Sequence, residues 1–158
     1  MLYFVGAGPG NVELITMKGH RLLTEADVVI YAGSLVNPEL LNYTKEDCEK
    51  LNSAHMTLEE VIEAVKNAEA ENKMTVRLHT GDSSIYGAIR EQIDLLKELN
   101  IKYEVVPGVS SFCGAAASLG AEYTLPNVSQ SVIITRMEGR TPVPERESIR
   151  SFASHKAT

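Results

Sequence analysis

Val5-Gly6-Ala7-Gly8-Pro9-Gly10-Asn11 closes the first apolar run of the chain, Leu2-Tyr3-Phe4-Val5. Four apolar or aromatic residues ahead of a cluster of breakers read as a short buried strand. The three glycines let the backbone turn sharply, while Pro9 holds φ near one value. A strand that ends in such a loop is either a tight turn into a helix or, in an α/β sheet, the place where a small ligand sits. The stretch is not the dinucleotide fingerprint G-x-G-x-x-G. Its third glycine comes two residues after the second, and Pro9 stands between them. Tyr31 at the end of the second strand leads into Ala32-Gly33-Ser34, so no acidic residue follows to hold a ribose. A nicotinamide enzyme is therefore disfavoured.

Outward from this loop, strands and helices alternate. Leu14–Ala26 predicts a helix with Ile15, Leu22, Leu23 and Ala26 turned inward and Gly19 as its weak point. Asp27–Tyr31 reads as a second buried strand, Ala32–Pro38 as a loop leading to a short helix through Leu41, and Lys50–Asn52 as a short strand. Thr57-Leu58-Glu59-Glu60 has the form of a capping box. Leu58, Val61, Ile62, Val65 and Ala68 then mark one face of a helix running to about Glu71. Met74–His79 is the next strand, Ser84–Leu99 a helix stopped by Asn100, and Tyr103–Val106 a further strand before Pro107-Gly108. A helix of small residues, Ser111–Leu119, ends at Gly120.

This alternation predicts an α/β fold with a doubly wound, mainly parallel sheet. Ligands of such sheets bind beyond the carboxyl ends of the strands. The Gly6–Asn11 loop, Thr80-Gly81-Asp82 and Pro107-Gly108 should therefore share one edge. Residues 1–123 are expected to form this domain and 124–130 a linker. Residues 131–158 read as the first strand, Ser131–Thr135, and the first helix of an incomplete second α/β domain. One strand and one helix cannot bury their own apolar faces.

The 158 residues are 44% apolar and 23% charged, ordinary for a water-soluble domain. No apolar run approaches the roughly 20 residues of a membrane span. The start of the chain lacks an export signal, so a cytoplasmic protein is expected. Cys48 and Cys113, like His20, His55, His79 and His155, fit no metal-ligand spacing. A net charge of −6 argues against a nucleic-acid partner.

Asp82 is the sharpest single candidate. It follows a strand and precedes a predicted helix, where its carboxylate either caps that helix or accepts bonds from a ligand hydroxyl or ammonium. Ser110 and Ser111 pose the same choice. His79 reads as a packed strand residue or a ligand-facing one, and Arg136 and Arg140 as solvated or as bidentate carboxylate binders.

Taken together, VGAGPGN, Ala26-Asp27-Val28-Val29, HTGDSSIYGA (residues 79–88) and VVPGVSSF (residues 105–112) resemble the tetrapyrrole methylase family. YAGSLVNPELL (31–41), YGAIREQI (86–93), SQSVIITRMEGRTPVPE (129–145) and the final SHKAT resemble its branch that methylates C11 of precorrin-4 or cobalt-precorrin-4 in cobalamin synthesis. The resemblance covers essentially the whole chain and implies two α/β domains with S-adenosylmethionine between them, S-adenosylhomocysteine as product, and a homodimer. It also implies that a full chain continues for roughly another domain.

By position, Pro9, Thr80, Gly81, Asp82, Ile85, Ser110 and Ser111 match the family's cofactor contacts. The commoner motif is Gly-Asp-Pro, so Ser83 is a departure. The relatives that act on uroporphyrinogen III place an Asp after the second-strand Tyr, where this chain has Ala32, which points away from that earlier reaction. Methyl transfer to an electron-rich macrocycle carbon needs positioning more than a strong base, and no catalytic base is assigned. The substrate's carboxylates are expected to meet a local positive wall made by His79, Arg136 and Arg140.

Overall fold

In the computed structural model, residues 1–139 and 141–155 are described, with the side chain of Ser34 excepted. Five strands, β1 (Leu2–Gly6), β2 (Val28–Tyr31), β3 (Glu49–Asn52), β4 (Thr75–His79) and β5 (Tyr103–Val106), form one sheet in the order β3-β2-β4-β1-β5. Every pairing is parallel, with Leu2 opposite both Thr75 and Tyr103. The helices are α1 (Met17–Glu25), α2 (Leu58–Ala70), α3 (Ile89–Glu98), α4 (Ser111–Leu119) and the short α5 (Ile149–Phe152).

Strand periodicity sorts the core into two layers. Val5, Val29, Val76, Leu78 and Val106 pack with Leu22 and Leu23 of α1 and with Val36 and Leu40 from the segment after β2. Leu2, Phe4, Val28 and Ile30 pack with Val61, Ile62 and Val65 of α2 and Leu96 of α3 on the other face. The doubly wound sheet is therefore as expected. From β1 the chain passes by way of α1 to β2, on one side of the sheet order. From β4 it passes by way of α3 to β5, on the other side. The adjacent strands β1 and β4 thus flank the point where the winding reverses, the usual ligand crevice of such sheets.

Local chemistry explains most boundaries. The Thr57 hydroxyl accepts from the Glu60 amide at 3.2 Å while the Glu60 carboxylate accepts from the Thr57 amide at 2.7 Å, so the capping box is complete. Asn100 stops α3 at φ 55°, as its tolerance of the left-handed region predicts. The first predicted helix is shorter than expected: Val12–Leu14 is a 3₁₀ turn, and α1 starts only after Thr16 accepts from the Gly19 amide at 3.1 Å. The predicted helix from Ser84 also begins late, at Ile89, because Tyr86 and Ala88 take φ of 56° and 50°.

The chain divides into two compact units, Met1–Gly114 and Ala115–Thr158. In the second, residues 131–139 form no strand, contrary to expectation. A strand needs a ladder partner, and none of the described residues there supplies one. Thr135 instead donates to the Glu147 carbonyl at 3.0 Å. From Ser111 onward no described residue is buried, and Leu119, Val128 and Met137 are exposed.

Candidate functional site

The loops that leave β1, β4 and β5 meet through their backbones at the carboxyl edge of the sheet. Ala7 donates to the His79 carbonyl at 2.7 Å, and Gly8 and Gly81 exchange two bonds of 3.2 and 2.9 Å. A Cβ at Gly6 would lie 2.6 Å from Gly108 N and Cα and from Gly81 O. Three backbones therefore touch where no side chain fits, and Gly81 adds a φ of 61° that disfavours any other residue.

Asp82 ties this arrangement. Its Oδ1 accepts from the Ser84 amide at 2.8 Å and from the Ser84 hydroxyl, and its Oδ2 accepts from the Gly108 amide at 2.8 Å. Burial pushes its pKa up, but the bonds from the Ser84 hydroxyl and from the Gly108 and Ser84 amides outweigh burial and hold it below the ordinary value. Asp82 does not cap α3, whose N-terminal flanking residue is Ala88.

The expected cofactor contacts come together. Gly81 packs on Ser110 and Ser111, since a Cβ there would lie 3.6 Å from Ser110 Cα and 3.7 Å from the Ser111 amide. Pro9 packs against Gly114 in the first turns of α4, Ile85 donates to the Asp82 carbonyl at 3.2 Å, and Thr80 stands exposed beside them.

A fourth wall was not legible in the sequence. The Thr80 hydroxyl donates to the Leu35 carbonyl at 2.9 Å, and Asn37 Nδ2 donates to the Gly10 carbonyl at 2.8 Å. The segment after β2 thus joins both other loops. Within the 31–41 stretch the local signal is Asn37-Pro38: the side-chain carbonyl oxygen of Asn37 accepts from the Glu39 amide at 3.0 Å and opens a 3₁₀ turn. Met17, Leu35 and Tyr86 are exposed in the segments that leave β1, β2 and β4.

Two residues of the expected positive wall, His79 and Arg136, are engaged within their own surroundings. His79 is 5% exposed, lies on the α2/α3 face with its ring 6.0 Å from that of Phe4, and has its pKa pushed by burial, and further by Arg77, to about 3. A neutral, covered imidazole offers an anionic ligand no charge. Arg136 donates from Nη1 to the carbonyls of Met137 and Thr141 at 3.2 and 3.1 Å. Its Nη2 donates to the Thr141 hydroxyl at 2.7 Å and to the Pro142 carbonyl at 3.2 Å. Its terminal donors hold its own segment instead of forming an open carboxylate fork, and all four acceptors are neutral groups. Arg140 lies outside the described residues.

Among the described residues no group of His, Cys, Asp and Glu is arranged to hold a metal ion, and no helix is long and apolar enough to cross a membrane.

Comparison with known proteins settles the family. The model of the tetrapyrrole (corrin/porphyrin) methylases matches residues 1–158. The chain belongs to that family. It is 60% identical to the cobalt-precorrin-4 C(11)-methyltransferase of Methanocaldococcus jannaschii, over 98% of this chain and 60% of that protein. With the precorrin-4 C(11)-methyltransferase of Pseudomonas aeruginosa it shares 48% identity, over 99% of this chain and 62% of the other. A solved cobalt precorrin-4 methyltransferase, a cobalamin biosynthetic enzyme, superposes with a TM-score of 0.95 at 51% identity, over 99% of this chain and 65% of that one. Uroporphyrin-III C-methyl transferase from Thermus thermophilus, solved with S-adenyl homocysteine, matches less closely, with a TM-score of 0.68 over 82% of this chain and 52% of that one. This tetrapyrrole methylase chain thus spans about 60% of the length of the relatives it matches best among these.

Proposed function

We propose that this chain carries the cofactor platform of an S-adenosylmethionine-dependent methyltransferase acting at C11 of precorrin-4, with the cobalt form favoured by the relatives at 60% and 52% identity. The observation that carries the reading is the three-backbone junction of Gly6, Gly81 and Gly108 at the winding reversal.

The residues present suit this cofactor. S-adenosylmethionine has no phosphate, and the loops that meet at the junction, residues 6–11, 80–85 and 107–111, contain no Lys or Arg. Pro9 and Ile85 offer apolar surface, Thr80, Ser110 and Ser111 offer hydroxyls, and Gly81, whose amide is held by the Gly8 carbonyl, offers a backbone surface without a Cβ beside Asp82. When bound, the cofactor supplies an electrophilic sulfonium methyl to a macrocycle carbon. The chain's own work is to orient the two partners and exclude water, for which no strong base is required.

Charge separates the two units. Met1–Gly114 carries 10 Lys and Arg against 17 Asp and Glu, whereas Ala115–Thr158 carries 5 against 4. The second segment, with Arg136 and Arg140, is our source for the positive potential that draws the substrate's carboxylates. Residues 131–158 are read as the opening of a second α/β domain, and the working protein as a cytoplasmic homodimer. A second reading, an inactive fragment or a non-catalytic α/β interaction module, is supported by the lack of any buried residue after Ser110 among those described.

The test is incubation of the chain with methyl-¹³C S-adenosylmethionine and cobalt-precorrin-4, with uroporphyrinogen III in parallel. One labelled methyl at C11 of the first substrate alone is expected. Label on uroporphyrinogen III would overturn the substrate assignment. Cofactor binding without transfer to either would favour the module.

A further inference from the structure

Asp82 is the residue in the cofactor loops that a ligand's ammonium or ribose would be expected to engage. Its surroundings point elsewhere. Three protein donors occupy its carboxylate: the Ser84 amide and hydroxyl on Oδ1, and the Gly108 amide on Oδ2. An ionised carboxylate offers about four acceptor positions, so most of its capacity is spent inside the protein.

The identity of the donors matters as much as their number. The β1 and β4 loops are joined by two backbone bonds between Gly8 and Gly81. The β5 loop approaches the same junction at Gly108, where a Cβ would run into Gly81 O and lie 2.7 Å from Gly6 Cα. Close approach without a directional bond leaves two backbones free to slide. The bond from the Gly108 amide to Asp82 Oδ2 supplies that direction, and the Ser84 bonds fix the rotation of the carboxylate that receives it. The Gly108 amide needs an acceptor, and an unpaired one is costly in a half-buried position.

Building on the methyltransferase reading, we propose that Asp82 is a positioning residue: its carboxylate sets the spacing of the β4 and β5 loops and makes no contact with the bound cofactor. The cofactor is then gripped by backbone groups and by Ser110 and Ser111, held in place because Asp82 fixes Gly108 two residues upstream. On sequence alone the same residue reads as a helix cap or a ligand contact. The interloop tie was invisible there because Asp82 and Gly108 are 26 positions apart.

Two measurements test this, and they fail separately. In the ligand-free chain, amide exchange followed by ¹⁵N NMR should show Gly108 exchanging about 10-fold faster in Asp82→Ala, the scale of one lost hydrogen bond. Asp82→Asn, which keeps one oxygen acceptor but turns an amide group toward one of the two donor sides, should perturb Gly108 or Ser84 without altering β2 and β3. Unchanged exchange at Gly108 in both variants would overturn the proposal.

Affinity for S-adenosylhomocysteine is then compared with that for analogues lacking the α-amino group or a ribose hydroxyl. Asp82→Ala should weaken all of them by the same factor, because positioning acts on the whole seat. A loss that disappears for one analogue would show a direct contact with the missing group and sink the idea. Failure of the unmodified chain to bind S-adenosylhomocysteine would count against the methyltransferase reading, while the exchange measurement would still decide the tie.

Discussion

Burial decides what the polar residues of β4 and its loop are able to do. Arg77 and His79 stand two apart on one face of the strand, a relation plain from the alternation in Thr75–His79. What the alternation hides is that both faces of a doubly wound sheet are covered. Arg77 keeps its charge, with burial drawing its pKa down to about 10, and donates to the Ile30 carbonyl at 3.1 Å. His79 stays neutral, with its pKa lowered from 6.5 to about 3. Because the folded value is depressed, the unfolded chain binds the proton first. This contribution to stability is fully present above about pH 6.5 and falls as the pH drops toward 3, by about 1.4 kcal/mol per unit within that window. Denaturant melts of His79→Gln at a series of pH values should show a shallower acid slope than the parent chain; an identical slope would refute the assignment. Ser83 is 1% exposed and its Oγ has no partner among the described residues. Ser83→Ala should be neutral or stabilising by about 1 kcal/mol in the same melts, and a clear loss of stability would mean the hydroxyl is satisfied.

At the level of elements, what is local was legible and what depends on the neighbouring chain was not. The capping box at Thr57 and the stop at Asn100 rest on residues within a turn of each other. The start of α3 does not. Ile85 and Ile89 continue the apolar stripe, so the sequence reads as helix from Ser84. Yet Gly87 packs against the backbone of Ser83, where a Cβ would clash, and the chain makes a tight turn before the helix. Ala88 pays for that turn with a φ of 50° and lacks a side-chain cap. Ala88→Gly should relieve the left-handed conformation and raise stability by about 1 kcal/mol. Thermal melts with cofactor-site ligands absent would check it, and a lower melting temperature would contradict the strained geometry. Similarly, the glycine loop announced a turn, but its contact with Gly108 involves residues about 100 positions away, beyond any spacing argument.

For the whole molecule, the parallel sheet and the edge that carries the site followed from strand–helix alternation, because alternation fixes the fold class and the fold class fixes the ligand edge. The charge balance between the two units was only half visible. The total of −6 hid a strongly acidic first unit and a slightly basic second one, since a sum carries no position. The expected strand at Ser131–Thr135 failed for a related reason: β-branched residues favour an extended chain, but a strand exists only with a partner. The first unit is thus the proposed cofactor platform. Its most direct test is a calorimetric titration of S-adenosylhomocysteine into the 158-residue chain. One-to-one binding in the micromolar range is the predicted result; a folded chain that releases no heat of binding and shows no ligand-induced shifts at Gly8, Gly81 or Ser110 would contradict it.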